Sequence, residues 1–230
     1  MRMNRIAQSF SWKYAIGEIL LIVIGVTIAL AVDSWNTERE RRTEEIRVLE
    51  QLLASLQNDR TALAEMVDLL TEMADGLKHL RRHLSDRFPY SEDLDTEFGY
   101  MTMFAGASIS ASAYESLKSQ GLDLISNDAL RVELVSVFET RKSLLDALNG
   151  LFRDEVMAFW RGPAVTRFEL GLGTATPYDY AALLDDKEFD SLLTQRIALV
   201  DGYIAGIFQA SIEQVDTLRG DIEEELVRLE

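Results

Sequence analysis

The chain has 230 residues, 47% hydrophobic and 27% charged, the composition of a folded domain and not of a disordered or fibrous chain. Thirty-nine Asp and Glu against twenty-three Lys and Arg leave a net charge of −16, which repels phosphate backbones and argues against nucleic acid as a partner. Cysteine is absent, which excludes disulfides, thiolate metal sites and cysteine nucleophiles.

Residues 1–13 form a cationic tail, with Arg2, Arg5 and Lys13 and no acid. Residues 14–32, YAIGEILLIVIGVTIALAV, carry one charge, Glu18. At ~1.5 Å per residue such a helix spans about 28 Å, matching a hydrocarbon core of ~30 Å, so a transmembrane helix is expected. Phe10, Trp12, Tyr14 and Trp35 flank it as interfacial aromatics. A cleaved signal peptide has a shorter apolar core, and Ala29-Leu30-Ala31 offers only a weak cleavage site. The Lys and Arg counts of the two flanks nearly tie, but moving a wholly cationic tail outward opposes the membrane potential. The N-terminus is therefore expected inside and the folded domain outside.

Residues 33–45 form a charged juxtamembrane segment, and 46–230 an acidic domain that carries the whole net charge. Its first helix repeats at positions 46, 49, 53, 56, 60, 63, 67, 70, 74, 77, 81 and 84, apolar but for Arg60 and Arg81, near the 3.5-residue step of a coiled coil. Ser85 to Leu94 reads as a loop, Asp95 to Phe104 as a short helix, and Gly106 to Ala113 as a small, Ser/Ala-rich stretch. A second helix starts with Ser126 as N-cap, follows Leu130, Leu134, Val137, Leu144, Leu148, Phe152, Val156 and Phe159, and stops at Gly162-Pro163. Residues 161–177 read as a loop. A third helix starts near Asp185, with Glu188 completing a capping box, and runs from Leu193 to Leu229 with the period of one helical face. The expected fold is all-α: an N-terminal transmembrane helix followed by an antiparallel bundle of long helices.

The membrane helix YAIGEILLIVIGVTIALAV with its exit DSWNTERERR, and the block Ala113-Tyr114-Glu115-Ser116-Leu117-Lys118-Ser119-Gln120-Gly121 followed by Leu124-Ile125-Ser126-Asn127, resemble a family of small, single-span bacterial membrane proteins. The likeness covers residues 14 to about 139, with Asp33-Ser34 where that family usually has Asn-Asn. The family has no assigned function, so the resemblance implies a bacterial inner-membrane location and no activity. Physically, the second block is a helix–turn–helix corner that Gly121 closes in a left-handed conformation. Tyr114, Lys118 and Asn127 are its candidates for a ligand or partner contact.

Glu18, Gly25 and Ala29 share one stripe of the membrane helix. Gly25 and Ala29 allow close helix approach, and an ionisable residue inside a span is costly enough to need a reason. The stripe is a candidate interface with a second copy or another membrane protein. Asp75, His79 and His83 have the spacing of metal ligands on one helix face, but the apolar seam turns the histidines to solvent beside Arg81 and Arg82, so no metal is expected. No catalytic constellation or cofactor motif is present, so no enzyme is expected. The expected role is a membrane-anchored interaction or assembly protein, its lipid bilayer included among its partners; the alternative is a sensor-like bundle that binds a ligand and signals through a separate partner.

Overall fold

The computed structural model describes residues 12–229, with side chains described for 16–203 and 206–229. The expected cationic tail lies almost wholly outside these residues, and the side chains of Phe10, Trp12, Tyr14 and Ile204 outside those described. The chain divides into two compact units, Met1–Arg47 and Val48–Glu230. Helix α1, Trp12–Ser85, begins in the first and ends in the second.

In the first unit an eighteen-residue window of α1 has a mean hydropathy of 2.3, and none of it is buried. Its hydroxyls bond within the helix: Thr27 Oγ1 donates to the Val23 carbonyl and Ser34 Oγ to that of Leu30, both at 2.8 Å. Neither hydroxyl depends on water to satisfy its donor.

The second unit is a helical bundle built on three arms. The first is α1 from residue 48 onward. The second is α4 (Asp128–Val135) continued by α5 (Lys142–Phe159), and the third is α8 (Lys187–Tyr203) continued by α9 (Gln209–Leu229). Arg60 bonds Asp216 at 3.1 Å and Lys78 bonds Asp201 at 2.8 Å, so the third arm runs antiparallel to the first. Asn127 meets Glu225, and Arg141 meets Gln214, so the second arm is antiparallel to the third.

Burial on α1 follows a heptad. Leu49, Leu56, Leu63, Leu70 and Leu77 are fully buried, and Leu52, Asp59, Met73 and Leu80 are buried on the adjoining series. The first series lies where the sequence pattern puts it. The second lies one residue earlier than the expected 53, 60, 67, 74 and 81, although Ala74 is buried too. An acid, Asp59, occupies the true seam and interrupts its apolar pattern. Arg60, which takes the corresponding place in the expected seam, is half-exposed on Asp216, and Arg81 is exposed.

Two π-helical turns, each closed by wider hydrogen bonds than an α-turn, interrupt the other arms: Ser136–Arg141 between α4 and α5, and Ile204–Phe208 between α8 and α9. Each advances the buried frame by one residue. Leu130 is buried before the first turn and Val137 and Phe138 within it; after it the frame that starts at Phe138 continues at Leu145, Phe152 and Phe159. Leu144, expected in the core, is therefore exposed. In the third arm Phe189, Arg196 and Tyr203 lead, one residue late, into Ser211, Leu218 and Glu225.

Several helix boundaries differ from expectation, among them that of the short helix expected over Asp95 to Phe104, which ends at Gly99. Asn127, not Ser126, caps α4, accepting from the amides of Ala129 and Leu130 at 3.0 and 3.2 Å. Asp186, not Asp185, caps α8, accepting from the Phe189 amide at 3.0 Å, and Glu188 bonds Arg167 in place of closing a capping box. Gly162-Pro163 does not stop the second arm: a third π turn, Trp160–Ala164, contains Pro163 and leads into the short α6, Val165–Arg167. The wider turn accommodates a residue that lacks the N–H and crowds an α-turn.

The expected loop 161–177 also contains a hairpin. β1 (Phe168–Leu170) pairs antiparallel with β2 (Ala175–Pro177), Phe168 opposite Pro177, the one departure from all-α among the described residues. The hairpin seats α2, Leu94–Gly99: a Cβ on Gly99 would lie 2.2 Å from the Gly173 carbonyl oxygen. Phe98, Phe168 and Phe189 pack there with ring centroids 5.2 to 6.1 Å apart. A short helix, α7 (Tyr180–Leu183), follows, capped by Asp179.

Asp59 is 6% exposed; its Oδ1 accepts from the Ser110 amide at 3.0 Å, and its Oδ2 has no hydrogen-bond partner among the described residues. Burial raises its pKa above the ordinary carboxylate value, with the Ser110 bond opposing. A group whose folded pKa is raised contributes stability at low pH that is lost as pH rises through that pKa. Asp59→Asn should therefore stabilise the fold near neutral pH by about 1 kcal/mol. The advantage should shrink on acidification, as the native carboxyl itself protonates; thermal unfolding of both proteins across the acidic range checks it.

Candidate functional site

The corner residues are used inside the fold. Helix α3, Ser112–Gln120, carries Tyr114, which is 1% exposed and stacks on Phe138 with centroids 4.7 Å apart. Tyr114 Oη donates to Glu139 Oε1 at 3.2 Å, and Lys118 Nζ donates to the same oxygen at 2.6 Å. Burial, followed by the hydrogen bond to Glu139, raises the Tyr114 phenol. Gly121 closes α3 at φ +106 and ψ +126, outside the left-handed helical region expected for it, and a Cβ there would stand 2.5 Å from Asp123 Oδ1.

The structure joins Tyr114 and Lys118 but sends Asn127 to a different partner. While its oxygen caps α4, its Nδ2 donates to Glu225 Oε2 at 2.9 Å. Glu225 is 3% exposed, although its sequence run Glu223-Glu224-Glu225 reads as a solvated face. Arg228 donates to it as well, and Arg228 Nη2 reaches Ser126 Oγ at 2.8 Å. The corner thus ties the start of α4 to the end of α9.

The histidines take neighbours across the bend after α1. His79 Nδ1 lies 2.8 Å from Glu97 Oε1, and His83 Nε2 lies 3.0 Å from the Pro89 carbonyl. Asp75 is exposed one turn away. Glu18, Gly25 and Ala29 are exposed on α1, and a Cβ on Gly25 would meet nothing within 4 Å.

A further residue escaped the sequence reading. Arg196 holds a core position on α8 and is 4% exposed. Its guanidinium carbon sits 4.4 Å from the Phe152 ring centroid, and its Nη2 donates to the carbonyls of Tyr100, at 3.2 Å, and Met103. Its Nε and Nη1 have no hydrogen-bond partner among the described residues. Burial lowers its pKa to about 10, with the charge of Glu155 opposing, so it is cationic at neutral pH. Arg196 lines a cavity of about 230 Å³ between α5, the Pro163 turn and α8, together with Met101, Glu155, Val156, Phe159 and Leu192 among others. The heptad from Phe189 to Tyr203 was the available signal: it passes through position 196.

A family model matches residues 18–155. The chain belongs to DUF6090, a family of unknown function. The DUF6090 match takes in the apolar stretch of α1, the corner and most of α5, and ends before α8. No curated protein and no solved structure matches the chain.

Asn127→Ala should cost about 1–2 kcal/mol, the usual range for a lost N-cap, with part arising from the withdrawn Glu225 bond. Arg228, then Asn127, hold the Glu225 carboxyl below the ordinary value. Stability from a depressed carboxyl is lost as pH falls through its folded pKa, so the Glu225 share should vanish at acid pH while the cap share persists. Unfolding of both proteins at neutral and acid pH separates the two.

Proposed function

We propose that this member of DUF6090 is a membrane-anchored helical interaction protein of the bacterial inner membrane, a binding and not a catalytic protein. Residues 14–32 cross the bilayer once, and the acidic bundle stands on the outer side. One observation carries the reading: the large apolar side chains from Ile16 to Val32 are mostly more than half exposed, in a helix whose polar hydroxyls bond internally. Each such side chain left in water forgoes about 1.5–3 kcal/mol, and a bilayer recovers that energy over the whole stretch. The resemblance to bacterial single-span proteins supports the location, and the acid-free tail supports the orientation.

Assembly is assigned to the stripe Glu18, Gly25 and Ala29, where small residues let a second helix approach and Glu18 can bond across the contact. The partner is a second copy or another membrane protein.

Alkaline extraction of native membranes tests the anchor. The full chain should stay with the pellet at its intact 26.0 kDa mass. Release into the supernatant, or a mature chain lacking the apolar stretch, would refute it. In the same membranes, Gly25→Leu should reduce crosslinking severalfold while Val26→Leu, on another face, leaves it unchanged. Equal responses would remove the stripe from the proposal.

A further inference from the structure

We infer that the cavity between α5, the Pro163 turn and α8 is a binding site for a small carboxylate with a flat apolar body, held through the buried charge of Arg196. The inference does not depend on the membrane anchor.

The lining supplies both halves of such a ligand's chemistry. Met101, Val156, Phe159 and Leu192 make an apolar wall, and the buried cation Arg196 is part of the same lining. The chain does not complete that guanidinium's bonding. Two backbone carbonyls take Nη2 and the Phe152 face covers the plane, but Nε and Nη1 have no acceptor among the described residues, in a side chain 4% exposed. A buried cation without a hydrogen-bonded anion is an unfavourable arrangement unless an anion completes it. Glu155 lines the same cavity and is exposed; its charge acts on Arg196, but it makes no hydrogen bond that satisfies Nε or Nη1.

Size sets the rest. An apolar cavity of about 150 Å³ accepts benzene, so one of about 230 Å³ accepts about nine non-hydrogen atoms, a six-membered ring plus a carboxylate. The π turn that carries Pro163 shapes one wall, and such turns recur at functional sites.

The test uses the full chain in lipid nanodiscs and three isosteric probes: benzoate, neutral benzamide and cationic benzamidinium. Titration calorimetry should show benzoate binding with a Kd below about 1 mM, benzamide at least about tenfold weaker, and no binding of benzamidinium. Arg196→Met should weaken benzoate at least about tenfold. Ala158→Phe, an exposed cavity residue changed without touching the arginine, should abolish binding while the thermal unfolding temperature stays near that of the native protein. Glu155→Gln should tighten benzoate a few-fold by removing like charge. Preference for benzamidinium, or benzoate weakened by Glu155→Gln, would make the acid the anchor and overturn the proposal. So would benzoate binding that survives Ala158→Phe, or binding of none of the three probes. Arg196→Met is not indispensable: should that variant fail to fold, Ala158→Phe and Glu155→Gln still separate a site anchored by the arginine from one anchored by the acid or from none.

Discussion

Everything in the bundle depends on a sevenfold burial repeat kept along three helical arms. Leu49, Leu56, Leu63, Leu70 and Leu77 hold it without interruption on α1. A straight α-helix drifts by about 20° per heptad, so an arm packed this way must be slightly underwound or must correct its phase. The other two arms carry π turns, at Ser136–Arg141 and Ile204–Phe208. The buried frame runs unbroken on each side of each turn, displaced by one residue across it.

Much of this was legible in the sequence, and each failure has its own physical cause. Periodicity located the three arms and half of the α1 seam. It failed wherever a polar residue holds an apolar position. Asp59 disguised the second series of α1, and Arg196 and Glu225 are buried where charge reads as solvent-facing. A π turn leaves no compositional mark, so extrapolating straight past Val137 selected Leu144 over Leu145. Caps were misplaced by one residue because Ser126-Asn127 and Asp185-Asp186 each offer two good capping residues in succession. The hairpin was too short for alternation: Phe168–Leu170 is three residues, and its signal was the pair of glycines in the turn.

The candidate sites divide along the same line. Tyr114, Lys118 and Asn127 belong to a recognisable block, and the structure shows the bonds that hold them. Arg196 belongs to no block and has donors left over. The family match ends at residue 155, so of the cavity lining it takes in Met101 and Glu155 but not Val156, Phe159 or Arg196. Two other charges are better matched: buried Glu225 has Asn127 and Arg228, and half-buried Arg167 has Asp186 and Glu188. Of these, the Asn127–Glu225 bond joins segments distant in sequence.

The π turns also determine where the chain's length is negotiable. A π turn is an α-helix carrying one surplus residue, bulged so that the following side chains keep their facing. Losing a single residue at Ile204–Phe208 would relax the bulge into an ordinary turn and leave Ser211, Leu218 and Glu225 directed at the same neighbours. Losing one from the middle of α9 would swing everything downstream by about 100°, turning Ile222 and Leu229 out of the core. Single-residue insertions and deletions are thus cheapest at these few addresses inside helices, not only in loops.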